Sequence, residues 1–163
     1  DNIVDSVGKG VERAYIQPIL TNQVPNKDII REAKVDLEYL LQQISSTSDV
    51  IYGKSKQRLG LYKDIFDLLD KIPEQILMKE TEFIKSLDNF LWTYHLNFRI
   101  IREGDISPML GHKYSLIAEK SKLETQSAVE GGNGPTKKLV ELANKYLGLL
   151  RLDYPQGSQS ISS

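Results

Sequence analysis

Apolar residues recur every three or four positions over most of this chain, a spacing typical of amphipathic helices. The longest such pattern lies between two prolines and predicts one helix over residues 74–102. At about 1.5 Å of rise per residue, this helix would be roughly 40 Å long. Its apolar stripe needs other helices to cover it. The stripe consists of Leu77, Phe83, Ile84, Leu87, Phe90, Leu91, Tyr94, Phe98 and Ile101.

Three more helices are predicted around it, near residues 26–45, 49–71 and 107–129. Asn26 is a suitable N-cap residue for the first of them, and Asp49 or Ser48 can cap the second. Ser107 followed by Pro108 is a strong start signal for the last. No strand-like alternation is long enough to propose a sheet. The pattern therefore predicts an all-α fold in which these four helices pack as an up-and-down four-helix bundle over residues 26–130.

The two ends of the chain are predicted to lie outside this bundle. Residues 1–25 are expected to form a partly ordered leader with one short helix near residues 7–15. The glycine-rich run 131–135 predicts a linker, because it cannot continue a helix. A fifth helix near 136–152 and a disordered serine-rich tail complete the segment 131–163. We expect the fifth helix to be the more mobile part and its deletion to leave the bundle folded.

Composition narrows the class of protein. The chain has 163 residues, a formal net charge of -1 and no cysteine. The lack of cysteine excludes disulfides, thiolate metal sites and cysteine nucleophiles. The balanced charge gives no reason to expect nucleic-acid binding. No apolar run approaches the roughly 20 residues that cross a bilayer, so we expect a soluble protein, peripheral to a membrane at most.

Catalytic and cofactor motifs are missing from the sequence. His95 and His112 are the two histidines, and neither follows a glutamate at the spacing of a bundle di-iron site. There is no nucleophile elbow and no phosphate-binding loop. We therefore expect no enzyme activity, cofactor or metal. The alternative is an enzyme or ligand-binding sensor with a site between helices near Tyr94, His95 and His112, for which a polar cavity with convergent carboxylates would be the sign.

A local basic patch lies in the second predicted helix. Lys54, Lys56, Arg58 and Lys63 occur there without an acidic residue between them. Such a run is most often a solvated helix face. Its functional interpretation is a docking surface for an acidic partner, whose binding would weaken with salt.

One stretch near the N-terminus resembles a known family. Residues 13–19, Arg-Ala-Tyr-Ile-Gln-Pro-Ile, and the helical segment 31–35, Arg-Glu-Ala-Lys-Val, resemble the start of the PsbQ family. The members of this family are extrinsic subunits on the lumenal face of photosystem II. The resemblance implies a four-helix bundle with a less regular leader, and it implies docking through that leader. The corresponding docking residues here are Arg13, Tyr15, Gln17 and Pro18.

The chain also departs from that family. It has an insertion between Ile19 and Arg31, an additional helix after the glycine linker, and no counterpart of the family's tryptophan and Asn-Asp-Leu-Arg segment in the second helix. A divergent algal form could carry such changes. A removed targeting peptide would explain the start at Asp1, as would cloning.

Together these features predict a non-catalytic accessory subunit that docks on a larger protein assembly. The resemblance implies that this assembly is the oxygen-evolving side of photosystem II, in the thylakoid lumen. A scaffold module of a bacterial or viral complex fits the same sequence features.

Overall fold

The computed structural model of the chain describes residues 2–154, and every regular element in that range is a helix. The all-α prediction is therefore confirmed for this part of the chain. The serine-rich tail, which the sequence predicts to be disordered, lies outside the described residues. No described helix is both long enough and apolar enough to cross a membrane.

The N-terminal segment forms a nearly continuous helical rod. It consists of α1 (Asn2–Val11), a π-helical segment (Glu12–Ile16) and α2 (Gln17–Leu20). Pro18 is the second residue of α2, close to the π-helical segment where the α-helical hydrogen-bond pattern is already interrupted, so its missing amide hydrogen disturbs little. The sequence predicts one short helix near residues 7–15, whereas helical elements cover residues 2–20 in the structure. The rod buries Val11, Tyr15, Ile16 and Ile19 in the core.

The next two helices follow the sequence pattern closely. α3 (Asp28–Ile44) starts beside Asn26, whose side-chain oxygen accepts a hydrogen bond from the Asp28 amide at 2.9 Å. α4 (Asp49–Lys71) starts at the predicted cap, because the Ser48 hydroxyl accepts from the Val50 amide at 3.2 Å. Extended backbone at Ile72, just before Pro73, ends α4.

The long helix predicted over 74–102 is interrupted twice. It is divided into α5 (Glu74–Lys79), α6 (Thr81–Leu96) and α7 (Phe98–Arg102). The breaks fall at Glu80, with φ -101° and ψ 54°, and at Asn97, with φ -114° and ψ 15°. α5 and α6 both contact α2, and α6 and α7 both contact α9, while α6 packs most extensively on α8. The apolar spacing continues through both breaks, which is why it predicts a single helix.

The last two helices have almost the predicted bounds. A 3-10 turn (Ser107–Met109) leads into α8 (Leu110–Val129), and α9 spans Pro135–Asp153. Gly131 and Gly132, with φ of 92° and 83°, supply the left-handed backbone that reverses the chain between them. The Tyr114 side chain, on α8, is 59% exposed.

The position of α9 differs most from the sequence-based expectation. It packs against α4, α6 and α8, while α3 covers the other side of α4 and the N-terminal rod packs across α3, α4 and α6. The central helices are therefore α4, α6, α8 and α9 rather than the first four predicted helices. The apolar residues that α9 buries are Leu139, Leu142, Ala143, Tyr146, Leu147, Leu149 and Leu150.

Candidate functional site

The leader residues predicted to dock on a partner lie mainly against their own bundle. Tyr15 is 0% exposed, so its burial removes it from any docking surface of this fold. Gln17 donates a hydrogen bond from Nε2 to Asp88 Oδ2 at 2.8 Å, and Pro18 is half-buried within the rod. Arg13 is exposed, with its guanidinium 5.2 Å from the centre of the Trp92 ring.

The predicted basic patch is divided by the fold. Arg58 is buried, and its Nη2 lies 2.5 Å from Asp153 Oδ1, so it leaves the docking surface. Lys56 donates to the Thr47 carbonyl at 2.7 Å, near the C-terminal end of α3. Lys63 and Lys54 remain near or at the surface, although Lys63 also pairs with Asp67 at 3.2 Å.

The other two lysines of the predicted patch, Lys54 and Lys63, line a groove between α4 and α9. We call this the α4–α9 groove; its first part has a volume of about 750 Å3. Lys54 and Lys63 from α4 and Arg151 from α9 line it, together with Asp64, which pairs with Lys145 at 3.2 Å. Its other lining residues are Gln57, Gly60, Leu61, Gly148 and Leu152. Because the sequence places α9 on a loose linker, sequence reasoning missed this half of the surface.

An ion-paired cluster lies in the interior. Asp153, 0% exposed, accepts hydrogen bonds from Arg58 and from the Tyr94 hydroxyl. The Arg58 guanidinium also lies 4.2 Å from the centre of the Phe98 ring, a cation–π contact shielded from water. Side chains from α4, α6, α7 and α9 therefore meet at this buried charge pair.

A second buried cluster contains acids that have no direct cation partner in the described contacts. Glu12, in the π-helical segment, is 1% exposed, and neither carboxyl oxygen has a hydrogen-bond partner among the described residues. Burial, and then the charge of Asp88, raises the pKa of Glu12 to about 9. Burial also raises the pKa of Asp88 to about 6, against the opposing hydrogen bond from Gln17. Burial and both acids raise the pKa of Tyr146 as well.

The histidines of the alternative site lie in different surroundings. His95 is buried and stacks on Tyr62 with ring centres 6.5 Å apart, and burial lowers its pKa to about 4. Tyr94 is its neighbour in α6, at 5.7 Å. His112 is half-buried in the first turn of α8, and no ring contact or hydrogen bond described for the chain joins it to His95. Within residues 2–154, no group of three or more acids and histidines could hold a metal ion.

The buried acid at Glu12 predicts a specific dependence of stability on pH. Its pKa is about 9 in the folded chain against an ordinary value of 4.5, so folding takes up a proton between these values. Stability should therefore fall as pH rises through this window. Below about pH 6.5, the raised pKa of Asp88 and the lowered pKa of His95 change the stability with pH in opposite directions. The fall in stability from there to about pH 9 is therefore due to Glu12. Glu12→Gln should raise the free energy of unfolding by about 2 kcal/mol at about pH 8 and flatten the profile.

Urea unfolding followed by circular dichroism at several pH values measures this effect. Glu124→Gln is the matched control, because Glu124 is exposed on α8 and should leave the pH profile unchanged. A wild-type profile that stays flat between about pH 6.5 and 9 would contradict the neutral, buried state of Glu12.

Comparison with known proteins gives no relative. No protein-family model, curated protein or solved structure matches this chain.

Proposed function

We propose that this protein is a non-catalytic accessory subunit that docks on a larger assembly through the α4–α9 groove. The observation that carries the proposal is the combination, in one open groove, of cations and partly exposed leucines. Lys54, Lys63 and Arg151 surround its basic end, and Leu61 and Leu152 lie half-buried beside them. Apolar surface bordered by charge is the usual composition of a docking site.

The assembly we propose to test first is the lumenal, oxygen-evolving side of photosystem II. The support for this choice is the resemblance of residues 13–19 to the PsbQ family, and the thylakoid lumen would be the corresponding location. The helical fold is compatible with that family but is shared by many unrelated proteins. The docking element proposed here is the groove rather than the leader, because Tyr15 and Gln17 contact the bundle itself.

Charge reversal in the groove tests the proposal. Lys54→Glu combined with Arg151→Glu should weaken binding to photosystem II particles stripped of their extrinsic subunits by about tenfold. Raising the ionic strength should produce a similar loss for the wild type, because at 0.1 M salt exposed charges are screened beyond about 10 Å. Co-sedimentation over a range of salt concentrations measures both effects.

The matched control reverses two lysines that do not line the groove. Lys85→Glu with Lys122→Glu makes the same change in net charge on exposed positions of α6 and α8. It should bind like the wild type if the groove is the docking site. Equal binding by the groove variant and the wild type would remove the groove from the interface. Failure of the wild type to bind the particles would remove photosystem II as the assembly, and cross-linking in the native source would then identify the partner.

The second candidate is a ligand-binding or catalytic site between the helices. Its support is the buried Glu12 carboxyl, which has no described hydrogen-bond partner and lies in electrostatic range of Asp88. A small molecule would reach Glu12 only if the N-terminal rod moved, since the carboxyl is 1% exposed. A polar compound that raises the melting temperature of the wild type but not of Glu12→Gln would favour this function.

A further inference from the structure

The α4–α9 groove continues along α4 beyond its basic end. Asp64 also lines a second depression of about 480 Å3, formed by Asp67, Leu68 and Lys71 of α4 with Glu141, Asn144 and Lys145 of α9. The basic end combines the first half of α4 with the last turns of α9, so the two helices run antiparallel along the groove. Six of the nine α4 residues that line it form one row spaced by three and four: Lys54, Gln57, Leu61, Asp64, Leu68 and Lys71.

This spacing has a direct geometric meaning. A stripe at alternating intervals of three and four residues stays on one side of a helix and is the pattern against which another helix packs. From Lys54 to Lys71 the stripe is about 26 Å long, which equals four to five turns of helix. α9 supplies the opposite wall through Glu141, Lys145, Gly148 and Leu152. α4 and α9, which run antiparallel, thus border a trough whose length and side-chain spacing suit a third helix.

The charges along the trough are unequal. Its first end carries Lys54, Lys63 and Arg151 together with Asp64. Its other end carries Asp67 and Glu141 with Lys71 and Lys145. Half-buried Leu61 and Leu68 lie between the two ends. The trough is therefore positive at one end, apolar in the middle and mixed in charge at the other end.

The geometry points to one amphipathic helix of the partner, four to five turns long, as the occupant of the α4–α9 groove, with its acidic end over Lys54 and Arg151. Its apolar side would pack on Leu61 and Leu68, as in other helix-in-groove complexes. The inference rests on the proposed docking function and specifies what the partner presents there. A charged loop would satisfy the basic end alone and would leave the leucines and the far end of the trough uncovered.

Filling the groove tests this inference without changing any charge. A Cβ atom added at Gly60 would meet no other atom within 4 Å, so Gly60→Leu can be accommodated and would occupy the space of the docked helix. Gly111→Leu is the matched control, because Gly111 on α8 is equally open and lies outside the groove. Neither variant should lower the melting temperature, since leucine favours helix over glycine.

The probe is a synthetic helical peptide of about 18 residues with leucines at heptad spacing, three glutamates at one end and a spin label at that end. It should bind the wild type and Gly111→Leu alike, and Gly60→Leu about tenfold more weakly in fluorescence anisotropy. The spin label should broaden amide signals around Lys54 and Arg151 in the wild type. A peptide of the same charge with serines in place of leucines should lose about tenfold or more in affinity.

Several results would overturn the inference. These are no binding of the leucine peptide to the wild type at about 1 mM, equal affinity for Gly60→Leu, equal affinity of the serine peptide, or broadening at the Lys71 end. The proposed function fails separately. If Lys54→Glu with Arg151→Glu loses the assembly while Gly60→Leu keeps it, docking uses the charges but not a helix in the groove.

Discussion

Removal of residues 131–163 should abolish cooperative folding of the protein. α9 contacts α4, α6 and α8, and its buried side includes Leu139, Leu142 and Leu150. Burying one leucine contributes about 1.5–3 kcal/mol, so the five buried leucines of α9 together contribute about as much as a typical stability of about 5–15 kcal/mol. The truncated chain should show a broad thermal transition in circular dichroism and should bind a hydrophobic dye.

Two single substitutions test the contribution of α9 to stability without shortening the chain. Leu142→Ala should lower the free energy of unfolding by about 2–5 kcal/mol, because it leaves a cavity where α9 meets its neighbours. Asn144→Ala, on the exposed side of the same helix, should change it by less than about 0.5 kcal/mol. A truncated protein that melts cooperatively near the wild-type temperature would instead support the sequence-based expectation of a dispensable fifth helix.

Breaking the buried ion pair should have the second-largest effect. Arg58→Met leaves the Asp153 carboxylate, which is 0% exposed, without its cation and should destabilise the fold by about 3–5 kcal/mol. Arg58→Met combined with Asp153→Leu removes both charges and should recover most of that loss, because no uncompensated charge is then left buried. Urea unfolding at neutral pH measures both variants.

An exposed pair on the same helix provides the control. Lys63 and Asp67 lie 3.2 Å apart with about a third of each side chain exposed, so Lys63→Met should cost less than about 1 kcal/mol. If Arg58→Met costs as little as Lys63→Met, the Arg58–Asp153 pair does not hold the helices together. A double variant no more stable than Arg58→Met would show that the cluster is needed for more than charge balance, for example for the hydrogen bond from Tyr94.

The sequence alone predicts the helical class and most helix bounds, because both depend on interactions within a few residues. The three-to-four spacing of apolar residues predicts the ends of α3, α4 and α9 to within about two residues, and the start of α8 three residues early, where a 3-10 turn precedes the helix. The side chains of Asn26 and Ser48 accept hydrogen bonds from backbone amides at the starts of α3 and α4. Gly131 and Gly132 adopt the positive φ that their lack of a side chain permits.

The partners of each helix are decided only in the tertiary structure. Periodicity shows which side of a helix is buried but not which helix covers it, so α9 looks detachable in the sequence and is central in the fold. Arg58 belongs to a solvated basic run by local pattern, yet its partner Asp153 lies 95 positions away. The helix is interrupted at Glu80 and Asn97 although the apolar spacing continues past both residues, so only the structure shows these breaks. The α4–α9 groove likewise exists only once two helices from distant parts of the chain lie side by side.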